Sequence, residues 1–314
     1  MALCSLADLL RDARAGSYAV GYFESWNLES TRAVVDAAEE SGSPVVIGFN
    51  GGILSDRKRV LGSADPAIYV ELWRRFAQRA SVPISLLVNE IPSVQMALAA
   101  IELGASSLMM ESESDDLDSA ISLVRTVVKA GHAAGAAVEA NVGHLPSAQD
   151  GDYQRTGFSG SLTRVDEAVR FVEETGVDAL GVSVGNVEVL KEATARLDLT
   201  LLGKIHEAVS VPLVLHGGSG IPDGMVPELV ARGVSKVNLG AALNTAFLAG
   251  MMSALDEDPV SLSPKYTIGS GWDIDCLAKG ELAMRELVKR KMSIYGSAGR
   301  VRVSIRPEEN RHAR

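Results

Sequence analysis

The feature that most constrains this chain is an alternation. Eight short apolar runs punctuate its 314 residues, at 18–25, 44–50, 83–90, 107–112, 136–143, 179–185, 212–216 and 236–242. Segments of helical period follow, at 30–42, 66–80, 93–104, 115–134, 163–176 and 243–255, with a C-terminal helix near 276–294. Strands that read as near-continuous apolar runs are buried on both faces, which is how parallel sheets covered by helices look. Eight such β/α units predict an α/β fold of the closed (β/α)8 barrel type. A doubly wound open sheet is the competing layout. It lacks support, because no GxGxxG follows a first strand. The whole chain, 1–314, reads as one barrel domain with a C-terminal helical extension at about 271–300. Residues 1–16, with Asp8, Arg11 and Asp12 inside the apolar pattern, read as a short amphipathic helix and not as a signal peptide.

Composition narrows the functional classes. Hydrophobic residues make up 46% and charged residues 22%, enough for a large core. The net charge of −10 argues against nucleic acid or an anionic membrane as a partner. No apolar run reaches the roughly 18 residues of a membrane span. Two cysteines, Cys4 and Cys276, make no disulfide framework and suit a reducing cytoplasm.

In a barrel the chemistry gathers where the strands end. Those ends carry Glu24, Asn50, Asn89 and Glu90, Glu111 and Glu113, Asn141, then Gly185 with Glu188, His216, and Asn238. His216 is followed by Gly217-Gly218-Ser219-Gly220, a loop whose bare backbone suits an anion. A metal rarely rests on one protein ligand, so the partners of His216 are expected among the glutamates at neighbouring ends.

Several stretches in order, VGYFESWNLESTRAVVDAAEESGSPVVI (20–47), TGVDALGVSVGN (175–186), LVLHGGSGIP (213–222), GVSKVN (233–238) and YGSAGR (295–300), resemble the class II, metal-dependent ketose-bisphosphate aldolases over about 5–300. The resemblance implies a zinc site of three histidines, an aspartate beside the first that transfers a proton, and a substrate phosphate held by the Gly-Gly-Ser loop and the segment after strand eight. It also implies a homodimer or homotetramer.

The departures fall in the catalytic set. Asn89-Glu90 stands where the family has Asp-His, and Glu188 where it has its second histidine; His216 alone is kept. Glu24 replaces an asparagine, Asn50 a serine and Asn141 a glutamate, while Gly240 and Ala241 replace Asp and Thr. On this comparison Glu90, Glu188 and His216 would hold a divalent metal. One nitrogen with several oxygens suits Mn²⁺ or Mg²⁺, with zinc open as well. Asn89 cannot accept a proton, so Glu24, Glu111 or Glu113 would take that duty. Gly185, Gly217, Gly218, Ser219, Asn238 and Asn50 are the expected contacts to a small phosphorylated substrate.

Three functions remain open at this level. The first is an aldolase-type lyase acting on a phosphorylated sugar or keto acid through an enediolate. The second is an isomerase or dehydratase using the same metal chemistry. The third is a non-catalytic binding subunit. His132, His206 and His312 read as structural or solvated, His144 as a surface residue at a loop start, Trp26 as pocket wall or core. Arg300 reads as structural or as a subunit contact that could reach phosphate.

Overall fold

Eight parallel strands close on themselves in chain order: β1 (Val20–Glu24), β2 (Val45–Asn50), β3 (Ile84–Ile91), β4 (Ser107–Met110), β5 (Ala137–Val142), β6 (Ala179–Val182), β7 (Leu213–Leu215) and β8 (Val234–Leu239). The structure is a computed structural model and describes residues 3–56, 58–60, 65–111, 116–146, 161–188, 195–255 and 263–301. The helices are α1 (Leu6–Ala15), α2 (Leu28–Ser41), α3 (Gly51–Ser55), α4 (Pro66–Arg79), α5 (Val94–Glu102), α6 (Leu117–Ala133), α7 (Val165–Thr175), α8 (Leu199–Ala208), α9 (Val226–Ala231), α10 (Ala241–Leu255), α11 (Pro264–Thr267) and α12 (Cys276–Ile294). The (β/α)8 barrel expected from the alternation is the observed fold.

Local chemistry sets the element ends. The Asn27 side chain accepts from Ser30 N while the Ser30 hydroxyl accepts from the Asn27 backbone, a reciprocal cap that starts α2. Gly42, at φ 56°, ends it. Most boundaries differ from the sequence reading by one to three residues. The eighth strand stops at Leu239 and α10 begins at Ala241, because an apolar run does not by its period distinguish a buried strand from a helix start. The short helices α3, α8 and α9 were not delimited from sequence.

The barrel interior is stacked in layers. Parallel register pairs Val20 with Lys236, Tyr22 with Asn238, Val46 with Ser85, Leu87 with Ser107, Met109 with Glu139 and Val214 with Lys236. Since side chains alternate along a strand, this set faces one side. Its lower layers, Val20, Tyr22, Val46, Leu87, Met109, Ala137, Ala179 and Val214, form one apolar cluster with Leu6, Leu9, Leu10 and Ala13 of α1. The N-terminal amphipathic helix therefore plugs the bottom of the barrel.

The C-terminal helix is a barrel wall. Of its apolar residues Met284, Leu287, Val288 and Met292 are buried in the main core, Leu277 and Ile294 pack against it, and Leu282 alone is exposed. Tyr295 at its end stacks on Phe23 of β1 at 6.2 Å. Among the described residues no helix is long and apolar enough to cross a membrane.

Candidate active site

One face of each strand carries the site. Glu24 pairs in register with Gly48, Asn50 with Asn89, and Asn141 with Gly181, all on the inward parity established below them. Glu90 lies on the wrong parity, since it directly follows Asn89. The backbone corrects this. The β3–β4 register slips between Val88 and Ile91, and Glu90 has φ 50°, one of two positive values among the non-glycine residues described. A bulge re-aims the side chain at the cost of local strain, a combination that clusters at functional sites.

The result is a compact donor cluster. Ligand atoms of Glu90, Glu188 and His216 all lie within 4.8 Å of one another. His216 Nδ1 stands 3.6 Å from Glu188 Oε1 and 3.9 Å from Glu90 Oε1. The Asn89 amide donates to Glu90 Oε1 at 2.7 Å and the Asn50 amide donates to Oε2. Glu188 is placed by its own N–H, which donates to Pro146 O at 3.0 Å. Asn186 donates to the His216 carbonyl at 3.1 Å and so joins the ends of β6 and β7.

Beneath the cluster lies a charged network that sequence reasoning missed. His216 Nε2 is 3.1 Å from Glu139 Oε1, and Glu139 Oε2 is 2.8 Å from Lys236 Nζ. Lys236 also donates to Asn238 Oδ1 at 2.8 Å, and the Asn238 amide meets His216 Nε2 at 3.1 Å. Glu139 and Lys236 are fully buried. Asn238, expected at substrate, thus spends its side chain on His216 and Lys236. The available signal was a lone carboxylate inside the apolar run AAVEANVG and a lone lysine inside SKVNLG. Charges at inward positions of doubly buried strands need partners.

The electrostatics follow from this packing. Burial, then the Glu188 charge, raise the Glu90 carboxyl to about 8. Burial also raises Glu24 to about 7, against a hydrogen bond from Asn244 that works the other way. Burial opposes protonation of His216, but hydrogen bonds to Glu139 and Glu188 prevail and raise it to about 9. Glu139 is held below its ordinary value; burial opposes this, and Lys236 and His216 overcome it. Carboxylates crowded in this way favour a proton or a cation between them.

The residues fit a divalent metal. Two carboxylates and an imidazole nitrogen converge, and the far imidazole nitrogen is fixed by a buried carboxylate, the usual second support of a metal-binding histidine.

The glycines are held by packing. A Cβ on Gly217, at φ 72°, would lie 2.4 Å from Val187 O, and one on Gly185, at φ 101°, 2.1 Å from Arg196 O. A Cβ on Gly218 would meet Asn238 O at 2.6 Å. The Ser219 hydroxyl accepts from Ala242 N at 3.0 Å and ties the loop after β7 to the start of α10. Glu111 lines the open side of the same mouth with Glu90, Asn141 and Glu188. Glu113 and His312, and residues 57, 61–64 and 147–160, lie outside the described residues. His132 pairs with Asp178 at 2.9 Å, Trp26 packs edge-on to Phe247 at 5.6 Å, and Arg300 lies over the Tyr18 ring at 4.8 Å, near the plugged end of the barrel.

A family model described as fructose-bisphosphate aldolase class-II matches residues 4–300. The chain belongs to that family. The YdjI aldolase of Escherichia coli is similar at 29% identity and TM-score 0.76, covering 95% of this chain and 99% of its own. A putative fructose-1,6-biphosphate aldolase from Coccidioides immitis is similar at 27% identity and TM-score 0.78, covering 94% and 97%. Fructose-bisphosphate aldolase from Campylobacter jejuni shares the fold, at 20% identity and TM-score 0.75 over 94% and 96%. A Cβ at Gly240 would lie 2.7 Å from Glu24 Oε2, so the glycine after β8 makes the room that the longer side chain on β1 fills.

Proposed function

We propose that this chain is a metal-dependent lyase that cleaves a phosphorylated ketose or keto acid by retro-aldol chemistry, with Glu90, Glu188 and His216 as metal ligands. The observation that carries the reading is the convergence of those three donors above the buried Glu139–Lys236 pair. A divalent cation held there supplies Lewis acidity toward a substrate carbonyl.

The chain's own residues account for the rest. Glu24 is half-buried, sits at the end of β1 and holds its proton to about pH 7, the range in which a general acid–base group works best. It takes the duty that Asn89 cannot perform, and its depth favours it over the exposed Glu111. Asn89 and Asn50 instead hold both oxygens of Glu90 by amide hydrogen bonds. Gly217, Gly218 and Ser219 present backbone to a substrate phosphate from the β7 side, with Gly185 opening the adjoining turn. Glu139 and Lys236 fix the ring of His216 so that Nδ1 faces the two glutamates.

We place the protein in a reducing cytoplasm, in keeping with free Cys4 and Cys276. Exposed Leu248 and Met252 on α10, beside Leu282 on α12, support a homodimer or homotetramer. Elemental analysis of the purified protein, with retro-aldol assays before and after chelation, tests the central claim. Stoichiometric Mn²⁺, Mg²⁺ or Zn²⁺ and chelator-sensitive release of an aldehyde are expected. A protein that binds none of these at millimolar concentration would be a binding subunit.

A further inference from the structure

The end of β1 is held by a helix as well as by its neighbouring strands. Register pairs Phe23 with Leu239, so the next residues along, Glu24 and Gly240, lie side by side where β1 meets β8. A Cβ on Gly240 would stand 2.7 Å from Glu24 Oε2 and 3.9 Å from Glu24 Cβ, so the acid side chain lies along the bare glycine. The chain turns at once into α10, and the Asn244 N–H donates to Gly240 O at 3.2 Å. Asn244 therefore stands one helical turn beyond the glycine that Glu24 covers.

Phe247 sets which face of α10 meets β1. Its ring is buried, packs edge-on to Trp26 at 5.6 Å, and leaves only 2.9 Å to a Cβ placed on Gly280 of α12. Trp26 follows Glu24 by two residues, so this face looks onto the turn after β1. Residues three apart share a helix face, which puts Asn244 on the same side, one turn nearer the mouth. There its side-chain amide hydrogen-bonds the Glu24 carboxylate, while the Asn50 backbone N–H reaches the same group from β2. The Asn50 side chain is spent elsewhere: its amide donates to Glu90, and its Oδ1 accepts from Ile53 N at 2.9 Å. Asn244 is exposed at the rim, so little packing rests on it.

We infer that Asn244 is a positioning residue for the proton transfer: its amide fixes the Glu24 carboxylate at the mouth of the barrel. This rests on the aldolase reading above, in which Glu24 is the acid–base group. In the step it serves, Glu24 takes a proton from the carbon beside the ketone carbonyl, and the electron pair of the broken C–H bond moves onto the carbonyl oxygen. Once Glu24 has exchanged its proton with water, the reverse step returns a solvent hydrogen to the same carbon. A glutamate reaches its task on a flexible stem, and a base displaced by about 1 Å can lose roughly a hundredfold in rate.

The test is hydrogen exchange by the metal-loaded protein in heavy water, followed by NMR, with dihydroxyacetone phosphate and with pyruvate as probes. Asn244→Ala should lower kcat for exchange by roughly ten- to a hundredfold and keep KM within about twofold, because the amide acts on the base and not on the bound ketone. Asn244→Asp has the same shape but offers no N–H and sets a like charge beside Glu24, so it should fall at least as far. Asn244→Gln keeps the amide and should recover part of the loss. Melting temperatures should stay within about 2 °C of the parent, as for other exposed positions. An Asn244→Asp protein with the parental kcat, or an Asn244→Ala protein that raises KM and leaves kcat alone, overturns the inference and leaves the aldolase reading standing. A parent protein that exchanges neither probe overturns both.

Discussion

Replacing Lys236 by Met tests how far the site depends on the charge network beneath it. Both Lys236 and Glu139 are fully buried and lie 2.8 Å apart. At an effective dielectric near 20, charges at that range attract by about 6 kcal/mol, and removing one partner of a buried pair typically costs about 3–5 kcal/mol. Glu139 would keep His216 at 3.1 Å, which offsets part of the loss, so about 3 kcal/mol is expected for Lys236→Met. At roughly 2–4 °C per kcal/mol for a chain of this size, Tm should fall by about 6–12 °C. Glu139→Gln strands the lysine instead, with only Asn238 Oδ1 at 2.8 Å, and should cost a similar amount. The double variant removes both charges, so its loss should be at least about 2 kcal/mol smaller than the sum of the two singles. Urea denaturation of the four proteins, metal-free, gives the cycle. If the singles add to within about 0.5 kcal/mol, the pair is not coupled, and the argument that Lys236 holds Glu139 for His216 fails.

Three further outcomes can be measured. Calorimetric titration of Glu188→Gln with Mn²⁺, Mg²⁺ and Zn²⁺ should show no binding where the parent binds, while circular dichroism shows the barrel intact; retained affinity would remove Glu188 from the ligand set. The metal-free protein should lose stability as pH rises from 6 to 9. Glu24 and Glu90 have folded values raised to about 7 and about 8, and His216 to about 9, so each contributes stability that is present below its unfolded value and lost as pH passes the folded one. A drop in Tm of roughly 5–10 °C across that window is expected, reduced by added metal, and a flat profile would refute it. Gly217→Ala, at φ 72° with Val187 O in the way, should cost about 2 kcal/mol or more in thermal denaturation; Gly135→Ala, at φ 77° with open space around it, should cost only about 1 kcal/mol.

The barrel was legible because its signal is redundant. Eight apolar runs and their turns each repeat the same statement, and misplacing the end of β8 by three residues does not change it. Side-chain aim is carried by single residues and was harder to read. Glu24, Asn50, Asn89, Asn141 and His216 follow strict alternation, and their common face follows from strand register. Glu90 does not, and only the bulge at φ 50° brings it to His216. Nothing local in VNEIP states that bulge; it depends on how β3 meets β4. The Glu139–Lys236 pair was visible as two charges in apolar runs, but its partnership is a tertiary fact, joining residues from β5 and β8 across the barrel.

Glu24 and Gly240 are coupled in space at the mouth of the barrel. A Cβ at Gly240 would lie 2.7 Å from Glu24 Oε2, so a larger residue after β8 would make the Glu24 carboxylate shift. Together they keep a carboxylate at the mouth while Asn89 no longer supplies one. This carboxylate is half-buried, receives hydrogen bonds from Asn244 and the Asn50 backbone, and holds its proton near neutrality. A dead site has no need of a charged group kept at depth, since an apolar or small residue would fill that space without the desolvation cost. That cost is consistent with the proposal that Glu24 transfers the proton that Asn89 cannot accept.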